Sequence, residues 1–323
     1  MKRSVFGWGL VTALVAATGA CTVAGFLGRW GWVLELTCHF RLQYLLILTF
    51  ATGFFLLGRK RKRALIAGLL AAANLLLIVP AYFRPSPGEH LREAANAGNK
   101  PCSLRALLLN VEQSNRSYRK VIDLIANVDP DVAVLLETDT PWAGALQAGL
   151  VDYPYVLSEP LDNKFGLTLL SRLPIVDQEV MFLAGRDLPS LRAEVLFDDR
   201  RFTLIAAHAV PPKSGRHARL RNEQLTALAE LVGDQQHPVM ILGDLNVTPW
   251  SPFFCDLLEE TGLLDSRRGF GLQPSWPASF APLRIPIDHC LGTPDIRIHD
   301  RWIGSSIGSD HFPVVVEFSL ARP

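Results

Sequence analysis

The sequence has no C-x-x-C pair, no excess of either charge, no internal repeat and no low-complexity tract. Its five cysteines, Cys21, Cys38, Cys102, Cys255 and Cys290, are too scattered to outline a disulfide framework or a zinc site. Buried free thiols are the expected state, with room for one bridge among Cys102, Cys255 and Cys290. With 32 Lys and Arg against 31 Asp and Glu, the net charge of +1 argues against a protein that coats nucleic acid nonspecifically. Charge is scarce altogether: 20% of residues carry it against 49% that are apolar, a greasier balance than soluble proteins show.

The missing charges are missing from one end. Residues 5–27 contain none and are long enough to cross a bilayer as a helix, which takes about 20 residues. Further apolar runs cover 40–57 and 64–83, the last interrupted only by Asn74. Three such runs in succession leave too little polar surface for the outside of a soluble domain, so 1–83 reads as a membrane region with three transmembrane helices. A cleaved signal peptide fits the first run less well, since no Leu or Val stands three places before Cys21 and two more spans follow. Lys2 and Arg3, and the basic loop from Arg59 to Arg63, mark the cytoplasmic side. An odd number of spans then places everything beyond Phe83 outside the cytoplasm.

Residues 84–103 are rich in Pro, Gly, Ala and Asn and read as a linker. From Leu104 the composition becomes that of a globular domain, 104–323, long enough to bury a substantial core. Strands are expected at 104–110, 132–137, around Tyr155, and at 165–171, 175–183, 191–197, 202–208, 239–242, 286–291 and 313–318. Helical spacing appears near 118–125, 215–232 and 252–261. Strands dominate and helices cover them, an α/β layered arrangement.

The informative regularity is how these strands end. "ALLLN" ends in Asn110, "AVLLE" in Glu137, "LIAAH" in His208, "VMILGDLN" in Asp244 and Asn246, and "IPIDH" in Asp288 and His289, while "GSDH" precedes the last strand with Asp310 and His311. Any one of these has a bland reading, because Asn and Asp often stop strands by making turns. Strand ends on one rim of a sheet converge in space, however, and that is how α/β folds assemble sites from distant residues. Carboxylate and amide oxygens without cysteine form a hard-ligand set, suited to Mg²⁺ or Mn²⁺ rather than zinc. Such an ion neutralises phosphate oxygens, and the two imidazoles add groups that bond a phosphoryl oxygen or move a proton near neutral pH.

Asn110, Glu137 in "LLET", "GLTLLSRLPI" at 166–175, His208, "GDLN" at 243–246, "IDH" at 287–289 and "SDH" at 309–311 together resemble, in order, the motifs of the endonuclease/exonuclease/phosphatase superfamily. "DLNVTPWSPFF", "PSWP" and the preceding spans look most like its bacterial membrane-anchored branch. The resemblance implies a DNase I-like four-layer α/β sandwich, two mixed β-sheets flanked by helices, behind three transmembrane helices. It implies Glu137, Asn110 and Asp310 as the metal set for Mg²⁺, with Mn²⁺ plausible, and Asp244 orienting or deprotonating the attacking water. Asn246, Asn110 and His208 would bind the phosphate, and His311 would meet the scissile group with its ring steered by Asp288.

Other positions have two readings each. Glu112 stands where several relatives carry a second acidic metal ligand, or is a solvent-facing residue after a strand. Ser171 reads as structural, since no base is evident beside it, and Asn163 and Arg172 are candidates to line the cleft. Lys213, Arg216, Arg219 and Arg221 form either a basic rim or a solvated helix face. Trp250 and Trp276 either stack on a base or sugar or pack in the core.

The function expected is a phosphoesterase tethered in a bacterial cytoplasmic (inner) membrane as a multi-pass protein, with its catalytic domain extracytoplasmic, hydrolysing phosphodiester or phosphomonoester bonds. Its partners are a phosphate-ester substrate, nucleic acid among the choices, and the lipid bilayer; no protein partner is evident. A phospholipid or sphingomyelin-type phosphodiester is the alternative substrate. A catalytically silent binding module is the rival of another class, opposed by the intact set Glu137, Asp244, Asn246, Asp288 and His311. A transporter subunit is weaker still, since the spans offer little polar beyond Asn74.

Overall fold

The computed structural model describes residues 2–84, 103–185 and 188–321. The 84–103 linker and Cys102 therefore lie almost wholly outside the described residues. Among those described, Cys21, Cys38, Cys255 and Cys290 are free; Cys38 and Cys290 are buried as expected, whereas Cys21 is half-buried and Cys255 is exposed.

The N-terminal region is built from α1 (Lys2–Ala24), α2 (Trp32–Leu36), α3 (Arg41–Leu57) and α4 (Arg61–Ile78); 3₁₀ segments at Gly25–Trp30 and Thr37–Phe40 join the first three, and a turn at 58–60 joins α3 to α4. Three stretches, Trp8–Trp30, Trp32–Leu57 and Arg61–Tyr82, are long and apolar enough to cross a membrane. Leu48, Ala51 and Phe55 of α3 pack on Ala64, Ala67 and Ala71 of α4, the small residues letting the two helices approach closely. The second stretch begins before residue 40 because Trp32–Phe40 is itself helical. It carries Glu35 and His39, polar groups that interrupt the apolar run in sequence but are buried in the fold.

Among the described residues, the following domain has twelve strands. One sheet holds β1 (Leu104–Asn110), β2 (Val132–Leu136), β3 (Tyr155–Glu159), β4 (Leu167–Ser171), β11 (Ile296–Ile303) and β12 (Val314–Leu320), in the order β11-β12-β1-β2-β4-β3. The other holds β5 (Ile175–Phe182), β6 (Pro189–Phe197), β7 (Arg200–His208), β8 (Val239–Asp244), β9 (Leu264–Asp265) and β10 (Asp288–Gly292), in the order β5-β6-β7-β8-β10-β9. Each sheet is mixed, with one parallel pair at its centre, β1 with β2 and β7 with β8.

The layering follows from strands that are apolar on both faces. In β1, Ala106 and Leu108 face the opposite sheet, while Leu107 and Leu109 face α5 (Tyr118–Val128) and α6 (Thr140–Gly149). In β8, Met240 and Leu242 face the first sheet, while Val239 and Ile241 face α7 (Gly215–Gly233) and α8 (Pro252–Thr261). Residues two apart share a face, so a continuous apolar run is what a strand covered on both sides requires. The result is helices, sheet, sheet, helices: the four-layer DNase I-like sandwich expected from the sequence. Two strands escaped that reading. β9 has only two residues, and β11, "IRIHDRWI", is an edge strand whose charged residues mask its apolar alternation.

Candidate active site

Register brings the polar strand ends together. In the second sheet His208 pairs with Asp244 across β7 and β8, and Asp244 pairs with Asp288 across β8 and β10. Three functional residues thus stand side by side on adjacent strands. Gly243 makes the first juxtaposition possible: a Cβ there would fall 2.2 Å from the Ala207 carbonyl oxygen. His289, next along β10, points to the opposite face, where its Nε2 donates to the Val247 carbonyl at 2.8 Å and its ring packs on Phe254. Of "IDH", only Asp288 reaches the site.

His311 arrives from the loop before β12 and joins the row. Its Nδ1 bonds Asp288 Oδ2 at 2.8 Å, and its Nε2 lies 3.7 Å from Asp244 Oδ2 and 3.9 Å from Asp310 Oδ1. His208 Nε2 is 3.6 Å from the same Asp244 oxygen. Burial opposes charge on His311, but the Asp288 carboxylate outweighs it and raises the imidazole to about 10. His208 lacks so close a partner, and burial holds it down to about 4. One imidazole is a cation at neutral pH and the other is neutral, so their roles differ. Burial and the Asp288 charge push Asp244 upward. Asp288 itself stays below the usual carboxylate range, since His311 more than offsets its burial.

The first sheet supplies the facing half. Asn110 Nδ2 donates to Glu137 Oε1 at 3.2 Å, the Gln113 amide donates to Glu137 Oε2 at 3.2 Å, and Lys164 Nζ stands 3.9 Å from that oxygen. Glu137 and Asn246 both adopt the left-handed backbone, with φ of 62° and 49°. Such conformations cost of order 1–3 kcal/mol in a non-glycine residue and persist where the surroundings enforce them. Ser309 ties this half to the row: its Oγ donates to the Asn110 carbonyl at 2.7 Å and accepts from the His311 amide at 3.0 Å. Glu112 Oε2 accepts from the Asp310 amide at 3.1 Å, so it braces the loop that carries His311. Trp276 Nε1 donates to Asp310 Oδ2 at 3.0 Å, and Phe165 lies 5.2 Å from the His208 ring. Neither Ser309, Lys164 nor Phe165 was singled out from the sequence. Ser309 had a signal in its place within "SDH"; the other two sit in a loop with no motif.

Two sequence readings are corrected and a third is decided. Arg172 follows Ser171, which pairs with Val132 at the start of β2, so it lies on the rim opposite Glu137; it pairs with Asp129 and stacks on Tyr153. Arg221 is neither rim nor solvated face. It is fully buried, bonded to both oxygens of Glu35 in α2 and donating to the Asn246 carbonyl at 3.0 Å. Trp250 is not free to stack on substrate, since its indole donates to the Leu77 carbonyl of α4. Lys213, Arg216 and Arg219 are exposed as a solvated face, and Ser171 bonds only the Leu173 backbone. Asn163 accepts from the Phe165 amide in the loop that brings Lys164 to Glu137.

Glu112, Glu137, Asp288 and Asp310 converge here against Lys164 and His311, so an anionic substrate meets repulsion until a cation intervenes. Oxygen donors and excess negative charge fit a hard divalent ion. Among the described residues, Asp244, Asp288 and His311 offer ligand atoms within 4.8 Å of one another. That trio is better suited to proton chemistry, because His311 Nδ1 is already bonded to Asp288. Glu137 and Asn110 stand together as the resemblance implied for the metal, while Asp310 sits beside His311.

A sequence profile described as the Endonuclease/Exonuclease/phosphatase family matches residues 104–311. No curated protein matches the chain in sequence. Solved structures share the fold. D. rerio TDP2 complexed with single-strand DNA product is 16% identical, covering 68% of this chain and 99% of its own, with a TM-score of 0.57. The 3′ phosphatase NExo from Neisseria, bound to a product DNA hairpin, is 22% identical over 67% of this chain and 99% of its own, with a TM-score of 0.57. An endonuclease/exonuclease/phosphatase from Beutenbergia cavernae is 21% identical over 69% of this chain and 72% of its own, with a TM-score of 0.56.

Proposed function

Since the chain belongs to the endonuclease/exonuclease/phosphatase family, we propose that it is a membrane-anchored, divalent-metal-dependent phosphoesterase whose catalytic domain works outside the cytoplasm. The observation that carries this reading is the meeting of two halves from two sheets: Asp288–His311–Asp244 on one side and Asn110–Glu137 on the other. Glu137 and Asn110, with Asp310, would hold Mg²⁺ or Mn²⁺. Such an ion, when bound, neutralises phosphate oxygens and stabilises charge on the leaving group.

The protein's own groups do the rest. Asp244, whose burial favours uptake of a proton, orients the attacking water and accepts its proton. His311, held as a cation by Asp288, donates a hydrogen bond to the scissile phosphoryl oxygen, as a positive donor must where negative charge builds. Neutral His208 and the Asn246 side chain bind further phosphoryl oxygens. Two solved neighbours hold DNA products and one of them is a 3′ phosphatase, which supports a nucleic-acid substrate for this chain.

A phospholipid or sphingomyelin-type phosphodiester is favoured by a different observation. The loop around residues 276–285 grips Asp310 at one end, while at the other the Pro282 and Arg284 carbonyls accept from Gln43 in the first turn of α3. Phe280 and Leu283 are exposed on this loop, apolar groups on a segment that links the site to α3. The deciding experiment is turnover by the purified full chain in detergent, with Mg²⁺ or Mn²⁺, on DNA, phospholipid vesicles and a chromogenic phosphodiester. Hydrolysis should stop on chelation and return with metal; no turnover on any phosphate ester with either metal defeats the reading.

A further inference from the structure

At the seam where the outer ends of the spans meet the domain, one cation has no anion. Arg41 opens α3 and is 1% exposed. Its Nη1 donates to the Thr22 carbonyl at 2.8 Å and to Asn74 Oδ1 at 3.4 Å, its guanidinium lies over the Phe26 ring at 4.6 Å, and its Nε is buried without a partner. None of these neighbours is charged. Glu35 is bonded to Arg221 and Ser251, and Asp256 pairs with Arg29 at 2.5 Å, so among the described residues no carboxylate reaches Arg41. Gly25 leaves the group its room, since a Cβ there would fall 2.4 Å from Arg41 Nη2. A guanidinium does not shed its proton, and a buried charge without a counter-ion is costly.

Arg41 lines a cavity of about 330 Å³ whose other walls include Phe26, Arg29, Trp30, Leu77 and Trp250. Its depth follows from α3, whose 17 residues rise about 25 Å from Arg41 toward the basic loop at 59–63. That is close to the thickness of a hydrocarbon core, about 30 Å, so the cavity stands at outer headgroup level. Trp30, 80% exposed, is the residue type found at that level.

We propose that this cavity binds the phosphate of an anionic phospholipid of the outer leaflet, with Arg41 as its counter-ion and the two tryptophans flanking the headgroup. A lipid fits better than a soluble phosphate because, apart from Arg29, which Asp256 neutralises, the walls beside Arg41 are apolar, and Phe26, Trp30 and Leu77 belong to the spans. The site requires that the three helices cross a membrane, but it is independent of the hydrolytic reading.

Native mass spectrometry of the full chain in detergent tests it, by titration with phosphatidylglycerol and with phosphatidylcholine of the same acyl chains. Wild type should retain phosphatidylglycerol preferentially, Arg41→Gln should weaken that retention about tenfold or more, and Arg41→Lys should recover part of it. Equal retention of the two lipids by wild type, or undiminished phosphatidylglycerol binding in Arg41→Gln, overturns the proposal. So does inorganic phosphate that displaces the lipid and raises Tm by itself. If Arg41→Gln does not fold, Trp30→Ala, altered at an exposed position, decides: weaker phosphatidylglycerol retention supports the site and wild-type retention counts against it. Turnover of a soluble phosphodiester should be the same in Trp30→Ala and wild type.

Discussion

His311 and Asp288 are both almost fully buried, so changing one alters the electrostatics of the other. His311→Ala should lower turnover by about 10²–10⁴-fold. It should also cost about 3 kcal/mol or more of stability, because Asp288 is left as a buried, unpaired charge. His311→Gln, which can still donate toward Asp288, should show the loss of turnover with a much smaller fall in Tm. Equal turnover in wild type and His311→Gln would remove His311 from the chemistry. His289 tests a different property. The Val247 carbonyl only accepts, so Nε2 carries the proton and the ring is neutral; burial, reinforced by Arg267, holds it down to about 4. An unfolded histidine titrates near 6.5, so between about pH 6.5 and 4 the unfolded chain binds a proton that the native state refuses. Stability should therefore fall as pH falls through that window, by about 3 kcal/mol from this residue. His289→Gln should flatten that part of a stability–pH curve measured by denaturant unfolding. In sequence, His289 and Asp288 looked alike as polar groups ending a strand. Only the alternation of side chains along β10 separates a site residue from a core one.

Elements were legible where both faces of a strand are buried, since β1, β2, β7 and β8 each hold a run of four or more apolar residues that a polar group then ends. What the sequence could not reveal was pairing between elements far apart in the chain. Arg221 on α7 has the look of a basic surface residue until α2 places Glu35 against it, with Ser251 Oγ donating to the same carboxylate at 2.6 Å. His39 Nδ1 adds a 2.9 Å contact to Thr248 Oγ1. Both contacts fall on the segment just after Asp244 and Asn246, so α2 supports the active-site loop. Glu35→Gln should destabilise the full chain in detergent by about 3–5 kcal/mol, the cost of stranding a buried charge. The double change with Arg221→Gln should cost less than the sum of the single ones, a coupling that a double-mutant cycle in thermal unfolding would measure. Because Arg221 also holds the Asn246 carbonyl, turnover of the Glu35→Gln variant should drop even where it remains folded.

At the scale of the molecule, basic loops, apolar runs and a globular remainder could be read directly from composition, while the contact between the N-terminal helices and the domain could not. Arg29 with Asp256, Gln43 with Pro282 and Arg284, Trp250 with Leu77, and the Gly269 and Gly271 amides with the Ala81 carbonyl all cross that boundary. A reporter joined after Arg84 should be active only outside the cytoplasm; a cytoplasmic signal would invert the topology read from Lys2, Arg3 and residues 59–63. Arg221 gives the boundary a history as well. A homologue that has shed its three helices keeps no partner for a cation at that position, so 35, 39, 221, 248 and 251 are expected to vary together across the family. Soluble members should carry a small or neutral residue in place of the arginine.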